Sequence, residues 1–108
     1  MPNPNEVVVK RVSGAWVCEP DPVRPQGQNA TIKFRLDDND YKFRDTNAVV
    51  VQQPGSQFPE PSKTEDKKTA KLKDLNTEEG RFKYSVFVVK EGTTTVEEID
   101  PVIENRPR

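Results

Sequence analysis

Alternation of apolar and polar positions is cleanest over residues 30–36. Ala30, Ile32, Phe34 and Leu36 fall on one side of an extended chain, and Thr31, Lys33 and Arg35 on the other. This period of two predicts a half-buried strand. Asp37, Asp38, Asn39 and Asp40 follow as a turn, after which Tyr41, Lys42, Phe43 and Arg44 resume the alternation with the two cations outward. Upstream, a strand is predicted over 6–12, where three consecutive valines (Val7, Val8, Val9) leave the choice of inward face open. Ser13 and Gly14 break it, and residues 15–18 start a second extended segment. That segment runs into Pro20, Pro22 and Pro25, which fix φ and remove three backbone donors, so this stretch is read as an edge or loop. Trp16, the largest apolar side chain, is expected to anchor the core.

Further on, residues 48–52 read as a short strand ended by Pro54 and Gly55. Residues 54–66 contain Phe58 as their one apolar side chain and predict a long exposed loop. Residues 67–75 fit a helix or a strand by composition. Ala70, Leu72 and Leu75 are too few for a helical stripe, which favours a strand over 69–74 with Ala70 and Leu72 inward. Residues 81–89 carry the strongest strand signal: Phe82, Tyr84, Val86 and Val88 share one face, Phe87 and Val89 the other. A central strand whose second half is buried on both sides is the expectation. Glu91 and Gly92 turn the chain into a last long strand ending at Ile99, and Pro101 marks a break before Val102 and Ile103.

Composition agrees with the pattern. Fourteen Val against three Leu and one Met favours pleated strands over helices, and ten Pro with five Gly supply frequent breaks. The 108 residues show no internal repeat and no boundary, so residues 1–108 are expected to form one domain. Six to eight short strands point to an all-β, antiparallel β-sandwich of about seven strands, with a small barrel as the competing architecture.

The segment from Gly80 to Val89, with Phe82 and Tyr84 as aromatic anchors, resembles the penultimate strand of a cupredoxin. The positions of the copper ligands fall on Val86 and near Val89, so the resemblance implies a cupredoxin-like sandwich without copper. Glu78, Gly80 and Phe82 also resemble an immunoglobulin-like pattern, although Phe82 lacks the hydroxyl that closes a tyrosine corner. The run Glu19-Pro20-Asp21-Pro22, the residues Leu75-Asn76-Thr77, and the stretch from Asp100 to Asn105 resemble small uncharacterised bacterial β-proteins of the DP-EP type. That resemblance implies no activity.

The chemistry open to the chain is narrow. With no His, imidazole acid–base catalysis, His-dependent nucleophile systems and His-ligated metal sites are excluded within the chain. The single cysteine, Cys18, is expected to be a buried small hydrophobe. Asp37, Asp38 and Asp40 lack the Gly and distal Glu of a calcium loop and read as turn formers. Glu97, Glu98, Asp100 and Glu104 are expected on a solvated face. The mixed-sign run ending at Asp74 reads as a solvated loop or edge. No metal, no cofactor and no enzymatic activity are expected. The 17 Lys and Arg nearly balance the 18 Asp and Glu, so neither nucleic acid nor membrane attraction is expected, and the cytoplasm is the default location. One constellation stands out: if the aromatic faces point inward, Lys33, Arg35, Lys42, Arg44, Arg81 and Lys83 all point outward. Were their strands neighbours, they would form an anion-binding face. The leading expectation is a binding or assembly module that engages a protein partner or itself, with anion or nucleic-acid binding through this basic face as the alternative.

Overall fold

The computed structural model describes residues 5–105, which form ten strands and no helix. β1 (Glu6–Val12), β2 (Ala15–Glu19), β3 (Ala30–Asp37), β6 (Lys63–Asp66) and β7 (Thr69–Asp74) make one sheet in the order β2-β1-β3-β7-β6. The second sheet is built around β8 (Gly80–Lys90). β4 (Tyr41–Phe43) and β5 (Val49–Val51) lie end to end along one edge of β8, and β9 (Val96–Ile99) and β10 (Val102–Asn105) along the other. The sheets pack face to face as an all-β sandwich. Ten strands replace about seven partly because both edges of β8 are interrupted, at residues 44–48 and at Pro101.

Two topological features depart from the sequence expectation. β1 and β3 are parallel, with Val7 opposite Phe34 and Val9 opposite Leu36, so the sandwich is not wholly antiparallel. A parallel pair needs a long crossover, which the β1–β2 hairpin and the Pro-rich stretch 20–29 provide. Ser13 (φ 53°) and Gly14 (φ 82°) form the two-residue turn of that hairpin, both in the left-handed region that matches strand twist. Second, residues 63–66 are an edge strand rather than loop, paired to β7 through Lys63 opposite Lys71.

The inward faces follow the alternation. Val7, Val9, Ile32, Phe34, Leu36, Ala70 and Leu72 line one sheet, and Phe43, Val49, Tyr84, Val86, Val88 and Ile103 the other, all buried. Phe34 and Tyr84 meet across the core at a ring separation of 5.6 Å. Full burial of each such aliphatic or aromatic side chain stabilises the fold by about 1.5–3 kcal/mol. Trp16 is not at the centre: it is half-buried, packed against the core from the hairpin end of the edge strand β2. Phe58 is buried, its ring edge-on to Phe82 at 5.0 Å, and it pins the loop read as exposed. Val23, between the prolines, bonds to β10 on both sides (Val23 N to Val102 O, 3.0 Å; Glu104 N to Val23 O, 2.8 Å), so this segment is a one-residue edge.

Candidate interaction surface

The structure separates the six cations. Lys33 and Arg35 lie on the outer face of the five-stranded sheet, whereas Lys42, Arg44, Arg81 and Lys83 lie on the outer face of the other, on the opposite side of the sandwich. Several are also engaged locally. Arg35 is 3.6 Å from Glu6, and Arg81 is 3.0 Å from Glu104, which Arg24 also contacts at 2.8 Å. Glu104 is therefore a buried carboxylate between two guanidinium groups rather than part of a solvated face. No single patch of six forms, because β3 and β8 belong to different sheets.

A different basic row is present. Register places Lys63 of β6, Lys71 of β7 and Lys33 of β3 side by side across three adjacent strands, with Lys73 and Arg35 on the same face. Like charges directly opposite each other in a sheet are destabilising. Lys71 is offset by Glu65 at 3.1 Å; Lys33, Lys63 and Lys73 make no ion pair among the described residues.

The outer face of the β8 sheet has another character. Its central strand presents Arg81, Lys83, Ser85, Phe87 and Val89 outward, opposite the core-facing Phe82, Tyr84, Val86 and Val88. Phe87 and Val89 are half-buried with no further strand above them among the described residues, so the expected burial on both sides is only partial. Val50, opposite Ser85, is 37% exposed, and Val96, opposite Val89, is 47% exposed. Val102 adds a further apolar position opposite Lys83. The result is an apolar strip flanked unequally: Lys42 and Arg44 lie on the β4 side, Glu98 and Asp100 on the β9 side.

Both flanks are held in place. The Arg44 guanidinium sits 3.9 Å above the Phe87 ring and donates to the carbonyls of Thr46 (2.9 Å) and Asn47 (2.7 Å). On the other side, the Ser85 hydroxyl lies 2.6 Å from Glu98 Oε2 and 3.0 Å from Asp100 Oδ1, so its single hydrogen is donated to one of the two carboxylates at a time. Sequence reading missed Ser85 as an organiser, although an isolated Ser among Phe, Val and Tyr in a strand was the available signal.

Two further clusters close the ends of the sandwich. At the hairpin end, the Arg11 guanidinium lies over Trp16 (5.5 Å) and Tyr41 (4.8 Å), whose rings meet edge to face at 4.9 Å. Trp16 Nε1 donates to Glu97 Oε1 (3.3 Å), and Arg11 Nε donates to Asp38 Oδ2 (2.7 Å). Asp38 Oδ1 accepts from the Asp40 N–H (2.9 Å), while Lys68 Nζ donates to the carbonyls of Asp38 (2.6 Å) and Tyr41. The acidic turn thus works as a turn former tied to cations. At the loop end, Asp74, Asn76, Asn105 and Gln57 are buried together. Asp74 Oδ1 accepts from Asn105 Nδ2 (2.9 Å) and from the Asn76 N–H (3.0 Å). Asp74 is therefore a core residue, not part of a solvated segment.

Burial and the nearby Asp21 push the Cys18 thiol up to about 12, which leaves it protonated at neutral pH and a poor nucleophile. Desolvation likewise raises the Tyr84 hydroxyl well above its ordinary value. Among the described residues, no group of three or more Asp, Glu or Cys side chains is arranged to hold a metal ion.

The class this fold defines is an all-β two-sheet sandwich, and no helix among the described residues is long and apolar enough to cross a membrane. Comparison with protein-family models and with curated protein sequences gave no match.

Proposed function

We propose that the protein is a non-enzymatic binding or assembly module that works through the outer face of the β8 sheet. One observation carries this reading: Phe87, Val89, Val50, Val96 and Val102 form an apolar strip on a sheet face that no further strand among the described residues covers, with only the Arg44 side chain lying over Phe87. Strips of this kind, rimmed by charge, mark protein contact sites. The reading places the protein in the cytoplasm as a relative of the DP-EP type proteins, on an immunoglobulin-like or cupredoxin-like sandwich in which Val86 takes a copper-ligand position.

Bead-coupled wild type and the double variant Val50→Lys/Val96→Lys, compared by quantitative capture after cross-linking, test it. Loss of an associated chain by tenfold or more in the variant is expected. Equal retention on both would overturn the reading.

The lysine row on the opposite face supports a second reading, anion or nucleic-acid binding through Lys33, Lys63, Lys71, Lys73 and Arg35. Unlike apolar docking, this weakens steeply with salt. Retention on a heparin column at low salt, abolished by Lys33→Glu/Lys71→Glu, is its expected signature, and absence of retention by the wild type removes it.

A further inference from the structure

The outer face of the β8 sheet is polarised across its width as well as apolar along its centre. Reading across the strands, Lys42, Val89 and Val96 form one row. Arg44, Phe87 and Glu98 form the next, since the Arg44 N–H donates to Phe87 O (3.1 Å) and Phe87 pairs with Glu98. Val50 and Ser85, with Asp100 on the Ser85 hydroxyl, form the third. Cations therefore occupy the β4 edge, anions the β9 edge, and apolar side chains the middle.

Such a face complements a copy of itself. We infer that the occupant of this face is a second copy of the chain, packed sheet on sheet about a two-fold axis that lies in the interface and runs along β8. This assignment rests on the binding-module reading and names its partner. The axis direction follows from charge. A two-fold along β8 exchanges the edges but preserves the rows, so Arg44 of one copy faces Glu98 of the other and the two Phe87 side chains, each beside its own Arg44, meet near the axis. A two-fold across the strands sets cations on cations and anions on anions. An axis along β8 also keeps the strands of the two sheets nearly aligned, the ordinary geometry of sheet packing.

Preorganisation favours the contact. Arg44 is already held by Thr46, Asn47 and the Phe87 ring, and Glu98 by the Ser85 hydroxyl at 2.6 Å, so little side-chain freedom is lost on pairing. Contact is centred on Phe87. Lys83 lies four residues away, about 13 Å along the strand, where the twist of two packed sheets carries them apart. Size sets the strength. The seven residues of β8 from Tyr84 to Lys90 and its two flanking edges give a footprint of about 23 by 14 Å, or about 320 Å² per copy. That lies below the size of stable specific interfaces and fits a weak, reversible dimer rather than an obligate one.

Sedimentation equilibrium on the whole chain, from low micromolar to about 1 mM, tests the proposal. The wild type is expected to dimerise with concentration. Arg44→Glu and Glu98→Lys, each alone, weaken the dimer at least tenfold, because each turns two cross-interface attractions into repulsions. Mixed together, these two variants form a heterodimer close to wild-type strength, since Glu at 44 then meets Lys at 98 and the native Arg44 meets the native Glu98. Val96→Lys, at a position 47% exposed and outside the core, weakens association while leaving the melting temperature unchanged, which separates loss of docking from loss of fold.

A wild type that stays monomeric to about 1 mM overturns the self-pairing, as does a dimer indifferent to both charge reversals, or a mixture that fails to restore association. The binding-module reading is judged separately by the capture experiment. A monomeric wild type whose captured partner is lost in Val50→Lys/Val96→Lys leaves that reading standing, whereas unchanged capture removes it too.

Discussion

The two ends of the sandwich handle a carboxylate in opposite ways. At the hairpin end, burial opposes ionisation of Asp38, but the Arg11 hydrogen bond, the Asp40 N–H, and the charges of Arg11 and Lys68 outweigh it and hold the carboxyl below its ordinary value. At the loop end, burial of Asp74 dominates; the Asn105 side chain and the Asn76 N–H oppose it only as neutral donors, and the carboxyl is raised. What distinguishes the two is the charge of the partners, more than the number of hydrogen bonds. Asp74 Oδ1 has two donors, yet Oδ2 has no hydrogen-bond partner among the described residues, and the same holds for Asn76 Oδ1 and Asn105 Oδ1. One end is a charge-matched closure in which a carboxylate meets cations. The other is a buried polar network that tolerates little disturbance.

The largest expected effect comes from breaking the loop end. Asn105→Ala removes the side-chain donor to Asp74 Oδ1 and should destabilise the fold by about 2 kcal/mol, seen as a drop in Tm of about 10 °C at pH 7. A drop no larger than that of an exposed substitution such as Thr94→Ala would show that the network is not organised around this bond. Next, Asp74→Asn keeps the acceptor oxygen and deletes the buried charge. A carboxyl whose folded pKa is raised contributes stability that is fully present below its unfolded pKa and is lost as pH rises through the folded value. The variant should therefore melt above the wild type at pH 7, and the gap should close as pH falls through the raised pKa. A gap independent of pH contradicts the assignment.

Smallest is the matching change at the hairpin end. Because the folded pKa of Asp38 is lowered, its contribution is present above the unfolded pKa and is lost as pH falls through the folded one. Asp38→Asn should lower Tm slightly at pH 7, with the difference vanishing in acid. Parallel melting series over pH 3–8 would then show two gaps of opposite sign at neutral pH, both closing in acid; gaps of the same sign would erase the contrast between the ends.

How much of this was legible varies by element. The inward set of β3, with Ala30, Ile32, Phe34 and Leu36 all buried, follows directly from its alternation, as does the inward pair Ala70 and Leu72 of β7. The same period, continued by one step, places Asp74 inward as well, but a carboxylate in a run of mixed charge reads as solvated unless its partners are known. Those partners, Asn105 and Asn76, come from β10 and from the turn after β7. Trp16 was legible as a large apolar group but not as a peripheral one, since edge position depends on β2 having a neighbour on one side only. Phe87 and Val89 read as buried because continuous apolar runs mark strands covered on both faces. Among the described residues no second layer covers them, and that mismatch between composition and exposure is what the proposed interface rests on.

Local order along the chain, then, was determined by the sequence: where most strands run, β6 excepted, which side chains share a face, which prolines interrupt, and that imidazole chemistry is absent. These are properties of neighbours one to a few residues apart. Only the tertiary structure decided that β1 and β3 run parallel, that the cations of β3 and β8 lie on opposite sides, that a lysine row crosses β6, β7 and β3, and that Arg44 and Glu98 flank one phenylalanine. Each depends on which strand pairs with which across tens of residues. A period of two says only that a side chain points away from the core, and strand order decides what stands beside it.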